Sequence, residues 1–474
     1  MANTTKIIVL DDDPTGSQTV HGCLLLTRWD VETLTNALSD VAPLFFVLTN
    51  TRGMGAKQAA DVTREVCRNL KIALKTMAIN PLLVSRSDST LRGHYPVETD
   101  VIAAELGPFD AHFLVPAFFE AGRVTRDSIH YLKVNDVDVP VHETEFARDS
   151  VFGYSHSFLP DYVAEKTHGR IMARSVERFL LVDIRSGVLN RLLALKGNQC
   201  CVVDAESYDD LARFTADVRA ATAQGKRFLF RSAASLVKAL ANLPPQPVSA
   251  EAMGRFTRDG RAGAVIVGSH VEKSSRQLAR LLQEPDVVGI EVDVQKVPEQ
   301  PGVAPGILNP SLRSPATLVR RTGCPSAVSA GMRKNRHPCT SQVLKAVLQQ
   351  AEAAFASGKT SVVYTSRGEV QFADQAARLA FGEAVSALLM DVIRNLPQDI
   401  GFLIGKGGIT SNDMLSAGLA LRAARVMGQV APGVSVVRCP ADHPRFPDMP
   451  VVIFPGNVGD DDALALVYRR FSLH

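Results

Sequence analysis

The sequence predicts an α/β protein of two domains, each a mainly parallel sheet flanked by helices, with a ligand cleft between them. Short apolar runs end abruptly in acidic or small turn residues and lead into helix-like stretches. The same order recurs in both halves of the chain. A Pro-rich polar stretch, 242–249, parts the halves. These observations set an N-terminal domain at 1–240, a linker at 241–262 and a C-terminal domain at 263–474.

Lys6-Ile-Ile-Val-Leu10 has no polar face, as expected of a buried parallel strand, and Asp11-Asp12-Asp13-Pro14-Thr15-Gly16 stops it. Further strands are expected at 44–48, 81–85, 111–115 and 199–203, with helices at 51–76 and 97–106. In the second half, strands at 264–268, 361–364, 401–405 and 450–454 each run into a small-residue turn. Helices are expected at 272–283, from 412 to about 427, and from 460. In open α/β sheets the strand C-termini line the ligand crevice.

The 474 residues hold 52 Lys and Arg against 49 Asp and Glu, a net charge of +3, which gives no reason to expect a nucleic-acid footprint. An anionic ligand must then be held by a local cluster. The seven cysteines form no Cys-x-x-Cys and no close framework, which fits a reducing, cytoplasmic compartment. No signal peptide or bilayer-length apolar run is visible, so no membrane partner is expected. Oligomeric state stays open, a homo-oligomer included.

The chemistry-bearing motifs lie at the strand ends. The acidic turn 11–16 could hold substrate hydroxyls, act as a base or bind Mg²⁺, or could cap the next helix. Asp11, Asp13 and Thr15 also fit the Asp-x-Asp-x-Thr signature of haloacid-dehalogenase-type phosphatases. Ser85 to His94 packs two arginines, one aspartate and four hydroxyls into ten residues. Arginine forks bind carboxylate or phosphate, and hydroxyls suit a polyol. Segments 116–123 and 142–149 read as loops over a site, or as surface ion pairs. Gly405-Lys406-Gly407-Gly408-Ile409-Thr410 and Phe454-Pro455-Gly456-Asn457-Val458-Gly459 read as phosphate loops or plain turns, and neither is a Walker A sequence. Asp460 to Asp462 read as first-turn carboxylates rather than metal ligands. Gly268-Ser269-His270 and Thr365-Ser366-Arg367 put hydroxyls at strand ends, where they could meet phosphate or ribose.

Together these motifs resemble the four-carbon acid sugar kinase family. Asp12-Asp13-Pro14-Thr15-Gly16 matches its Asp-Asp-x-Thr-Gly, and Asp88-Ser89-Thr90-Leu91-Arg92-Gly93 matches its Asp-Ser-Thr-Leu-Arg-Gly core. Gly407-Gly408-Ile409-Thr410 resembles its Gly-Gly-Asp-Thr. Ser366 falls in its Thr-Ser-Arg segment, and Gly456 in its second glycine loop. The resemblance implies an ATP- and Mg²⁺-dependent kinase acting on a small sugar acid such as threonate, erythronate or an oxo-tetronate. It implies that Asp12, Asp13, Arg86, Asp88 and Arg92 line the sugar-acid site, with Asp12 orienting or deprotonating the attacking hydroxyl. Ser269, Ser366, Gly407, Gly408, Ile409, Thr410 and Gly456 would surround ATP. Ile409 replaces the family's aspartate, and Arg86 stands where many relatives carry Lys. The resemblance covers roughly 6–295 and 343–470 and leaves the metal ligands open.

Two other functions compete. One is a haloacid-dehalogenase-type phosphatase with Asp11 as nucleophile and Asp13 as acid/base, its two motifs far apart in sequence. The other is a non-catalytic sugar-acid-binding protein. One segment fits neither domain: 297–342 holds seven of the 26 prolines, six Lys and Arg, and one acidic residue. We expect a mobile, poorly packed insertion there, or a local reading-frame disturbance. Without it the rest of the chain carries 46 basic and 48 acidic residues.

Overall fold

Ile7, Ile8, Val9 and Leu10 present no polar side to water, so their strand is stable only when covered on both faces. All four are buried in the computed structural model of the chain, which describes residues 4–75, 77, 79–269, 271–296, 338–367 and 375–472. The described residues form an α/β protein whose strands are mixed but mainly parallel. They fall into two compact units, Met1–Ala250 with Ala423–Ser435, and Glu251–Arg422 with Val436–His474.

In the first unit the strand Thr4–Asp11 is central. It pairs in parallel with Leu44–Leu48 on one side and Ile79–Arg86 on the other. Beyond Ile79–Arg86 the sheet continues through Phe228–Ser232, Ala111–Val115, Gln199–Val203 and Glu177–Phe179, all in parallel. Beyond Leu44–Leu48 come Leu24–Leu26 and then, antiparallel, Ala423–Ala431. Arg425 on that returning strand grips the Asp40 carboxylate with two hydrogen bonds, at 2.9 and 2.7 Å. A separate antiparallel sheet of Arg123–Arg126, Ile129–Val134 and Val137–Pro140 occupies part of the region between the two segments read as loops.

The second unit orders its parallel strands Val287–Val292, Thr360–Thr365, Ala264–Val267, Leu403–Lys406 and Pro450–Phe454. The helices Glu272–Leu281, Pro338–Ala356, Gln375–Asn395 and Ala463–Ser472 belong to this unit.

Several expectations need correction. The helix expected from 412 to about 427 stops at Gly418, and Ala423–Ala431 is a strand. Its burial alternates residue by residue, so tertiary pairing with Leu24–Leu26 overrides the helical propensity of its alanines. That segment belongs to the first unit, although 263–474 was expected to form one C-terminal domain. The stretch 241–262 is packed rather than free: Met253 is fully buried and Thr257 Oγ donates to the Phe471 carbonyl at 2.9 Å. Of the odd segment, 297–337 lies outside the described residues, as does His270. Residues 338–342 are the first residues of the helix Pro338–Ala356 and not part of a loop.

Candidate functional site

Three neighbouring parallel strands of the first unit end in register at Asp11, Leu48 and Arg86, so the turns that follow them meet. Asp11 and Asp12 are 0% and 1% exposed. Burying two adjacent carboxylates requires cations, and the neighbouring strand ends supply them. Arg86 donates to Asp11 at 3.2 Å. Arg52 holds Asp12 at 2.5 Å and Asp13 at 3.4 Å. Burial pushes the Asp11 carboxyl up to about 7, against the pull of Arg86. Burial acts on Asp13 in the same direction, but Arg52 and Arg86 outweigh it and hold that carboxyl below its usual range.

Ser87 ties this acidic corner to the next loop. Its hydroxyl lies 2.5 Å from Asp12 Oδ2 and 2.7 Å from Arg231 Nη2. Arg231 also forms a buried ion pair with Glu98 at 2.6 Å. The chain then turns through Leu91 and Gly93, both at positive φ, and the carbonyls of Thr90 and Leu91 are held by the hydroxyls of Tyr154 and Tyr162 at 2.8 Å each. Arg92 Nε reaches Asp88 at 2.6 Å, and its guanidinium lies over the Phe146 ring and 3.5 Å from Asp149. Arg52 and Arg92 hold the Asp88 carboxyl well below its usual range, although burial pushes the other way.

A cavity opens here, lined among others by Ser87, Asp88, Arg92, Tyr162, Arg231 and Ser232. Of the residues expected at a sugar-acid site, Asp88 and Arg92 line it. Asp12, Asp13 and Arg86 are not among its lining residues, and Asp12 reaches it through Ser87. Asp13 accepts from the Thr15 amide at 2.9 Å and so caps the turn Pro14–Ser17, which is the capping alternative. Ser232 Oγ in the cavity wall is buried with no hydrogen-bond partner among the described residues, and so is Nε of Arg123, whose charge acts on Asp88. Arg52, Glu98, Arg123 and Arg231 were not among the expected site residues. Arg231 had a readable signal at the end of the apolar run 228–230, and Arg123 closes the segment 116–123 read as a loop over a site, whereas Arg52 lies four residues beyond Leu48. Glu98 had none.

In the second unit the expected residues gather around Ser269, just beyond the strand Ala264–Val267. Gly407 has φ +118, and a Cβ there would sit 3.0 Å from the Ser269 Cβ. A Cβ on Gly456 would sit 3.3 Å from Ser269 Oγ. Ser274 Oγ bridges Ser269 Oγ and the Gly456 carbonyl at 3.0 Å each. Gly268 faces Thr410 Oγ so closely that any side chain would collide. These glycines pack tightly against Ser269 and Thr410 and leave their backbone bare of side chains, which is what lets main-chain N–H groups meet a nucleotide phosphate. Lys406, part of the glycine loop read from the sequence though not among the expected site residues, is fully buried, and its ammonium donates to the carbonyls of Pro455 and Gly456 at 2.5 and 3.2 Å. Burial lowers its pKa to about 7, with Lys273 adding to the effect.

The remaining positions contribute differently. Ser366 accepts from the Val294 amide at 3.1 Å, fixing the turn after its strand. Gly408 opens the short helix Gly408–Asp413, and Ile409 is 69% exposed. Asp461 and Asp462 pair with Arg276, Arg280 and Arg469, so they act as structural carboxylates. Among the described residues no group of three or more His, Cys, Asp or Glu stands together to hold a metal ion. Mg²⁺ commonly binds through phosphates and one or two carboxylates, so the cradle fits the nucleotide while offering no protein cage for the ion. No described helix is long and apolar enough to cross a membrane.

Two family models match the chain. A sugar-binding N-terminal domain matches residues 7–240, and a nucleotide-binding C-terminal domain matches 326–464. The chain is 29% identical over 219 residues to a D-erythronate kinase of Heliobacterium modesticaldum, covering 44% of this chain and 46% of the relative. It is 30% identical over 160 residues to a D-threonate kinase of Bordetella bronchiseptica, covering 32% and 37%. The matched stretch thus spans less than half of each relative. Crystal structures of proteins from Salmonella typhimurium LT2 and Haemophilus influenzae share the fold, with TM-scores of 0.66 and 0.62 at 17% and 16% identity. They cover 99% and 98% of this chain and all of their own.

Proposed function

Since the chain belongs to the four-carbon acid sugar kinase family, with its sugar-binding and nucleotide-binding domains, we propose that it transfers phosphate from ATP to a hydroxyl of a four-carbon sugar acid of the threonate, erythronate or oxo-tetronate type. The observation that carries this is the presence in one chain of two complementary sites. One is a hydroxyl- and arginine-lined cavity at Ser87, Asp88, Arg92 and Ser232. The other is a glycine cradle around Ser269.

Phosphoryl transfer needs positioning, charge neutralisation and an oriented hydroxyl more than covalent chemistry. Arg92 and Arg123, whose Nε is unspent, would take the substrate carboxylate, while Asp88 and Ser232 would take hydroxyls. Asp12 is the candidate base. Its support is the 2.5 Å contact with Ser87, which lines the cavity and can pass a proton inward. Mg²⁺ would enter as the ATP complex. The enzyme would be cytoplasmic and act on small molecules alone.

The phosphatase reading loses its nucleophile, because a fully buried Asp11 facing Arg86 cannot meet a phosphate ester. The sugar-acid-binding reading predicts binding without turnover. Incubation with Mg-ATP and a panel of four-carbon sugar acids, with ADP measured, decides between them. Sugar-acid-dependent ADP is the expected result, and its absence across the panel would refute the kinase reading.

A further inference from the structure

We infer that Arg367 is a phosphate-binding residue of the nucleotide site, presenting a preset fork of two N–H groups to phosphate oxygens. This deepens the kinase reading and rests on it. Arg367 follows the strand Thr360–Thr365 by two residues. Its Nη1 donates to the carbonyl oxygen of Ser269. Nε and Nη2 are both buried and have no hydrogen-bond partner among the described residues. These two donors lie on the same edge of the guanidinium plane, the edge that carboxylate and phosphate accept in two parallel bonds.

The arrangement is asymmetric in an informative way. One corner of the guanidinium is spent on a main-chain carbonyl, which fixes its orientation. The other edge is shielded from water and left unpaired, a costly state for a cation unless an anion completes it. No carboxylate forms an ion pair with it among the described residues, and burial lowers its affinity for its own proton. The residue whose carbonyl orients it, Ser269, is also the one against which Gly407 and Gly456 are packed without side chains. The fork and the glycine cradle therefore share one anchor. The ligand class that suits both is a polyphosphate: oxygens for the fork, and close backbone approach for the glycines.

Isothermal titration of the full chain with ATP, with adenosine measured by competition, tests the assignment. For Arg367→Ala we expect ATP affinity to fall at least tenfold while adenosine affinity changes less than twofold. Arg367→Lys should recover little, because an ammonium cannot replace the fork. ATP affinity within twofold of the parent would overturn the assignment, as would an equal loss for ATP and adenosine. Should the alanine variant fail to fold, the lysine variant decides by the same two ratios. If the unaltered chain binds no ATP, the kinase reading itself fails and takes this assignment with it. A changed Arg367 variant beside a binding parent tests the fork alone.

Discussion

At Gly93 the main chain runs at φ +122, and an added Cβ would lie 2.4 Å from Ser87 Oγ and 2.7 Å from Arg231 Nη2. Strain and overpacking act together there, so Gly93→Ala should cost roughly 2–4 kcal/mol. Chemical denaturation would measure this, and sugar-acid binding should weaken in parallel because the displaced groups line the cavity. Asp11 makes a prediction of opposite character. Its carboxyl titrates near 7 when folded, above its ordinary 3.8. Between those values the unfolded chain releases a proton that the native chain keeps, so Asp11 lowers stability progressively as pH rises from about 4 to 7. Asp11→Asn removes this drain. Its stability relative to the parent should climb across that window by at most about 4 kcal/mol and then level off, as followed by melting at a series of pH values. Asp12→Asn should instead lower turnover far more than ATP affinity, and steady-state kinetics beside a binding titration would separate the two. At this scale the sequence exposes which residue types cluster, as in Asp11–Asp13 and Asp88–Arg92. It does not expose that Arg52, Glu98 and Arg231 complete the cluster, since those partners arrive from separate parts of the chain and only the folded sheet adjoins them.

The strand ends are where element and chemistry coincide. Gly456 follows the buried strand Pro450–Phe454 by two residues, and among the described residues a Cβ there would meet Ser269 Oγ at 3.3 Å and Val271 at 3.8 Å. Gly456→Val should therefore leave folding nearly intact and weaken ATP binding tenfold or more, which the same titration would detect. Lys406 stiffens this loop from beneath through two carbonyls. Most buried parallel strands were legible because their residues are wholly or almost wholly apolar: Leu44–Leu48, and Ala111–Val115 with His112 as its one polar member, sit where expected. Phe228–Ser232 was missed although it is equally buried, because Arg231 interrupts its apolar run. Ala423–Ala431 was misread for a different reason: its alternating pattern is made of alanine, glycine and valine, and the alanines carry a helical signal that only its pairing partner overrules.

For the whole molecule, the two-part composition was legible from a proline-rich stretch, but the path of the chain was not. The chain leaves the first unit after Ala250, re-enters it at Ala423 and leaves again after Ser435. A fragment ending at residue 250 would expose the edge of Leu24–Leu26 and lose the partner of Asp40, so it should aggregate more readily than the full chain, as light scattering would show. This path also sets a clock on biosynthesis. About 185 residues separate Ala250 from Ser435, so at roughly 5–20 residues per second a ribosome needs on the order of 10–40 s to deliver the last strand of a unit whose other strands are already made. The nascent first half must wait through that interval with one border of its sheet unclaimed, and a chaperone that masks a bare strand border would have its natural target there.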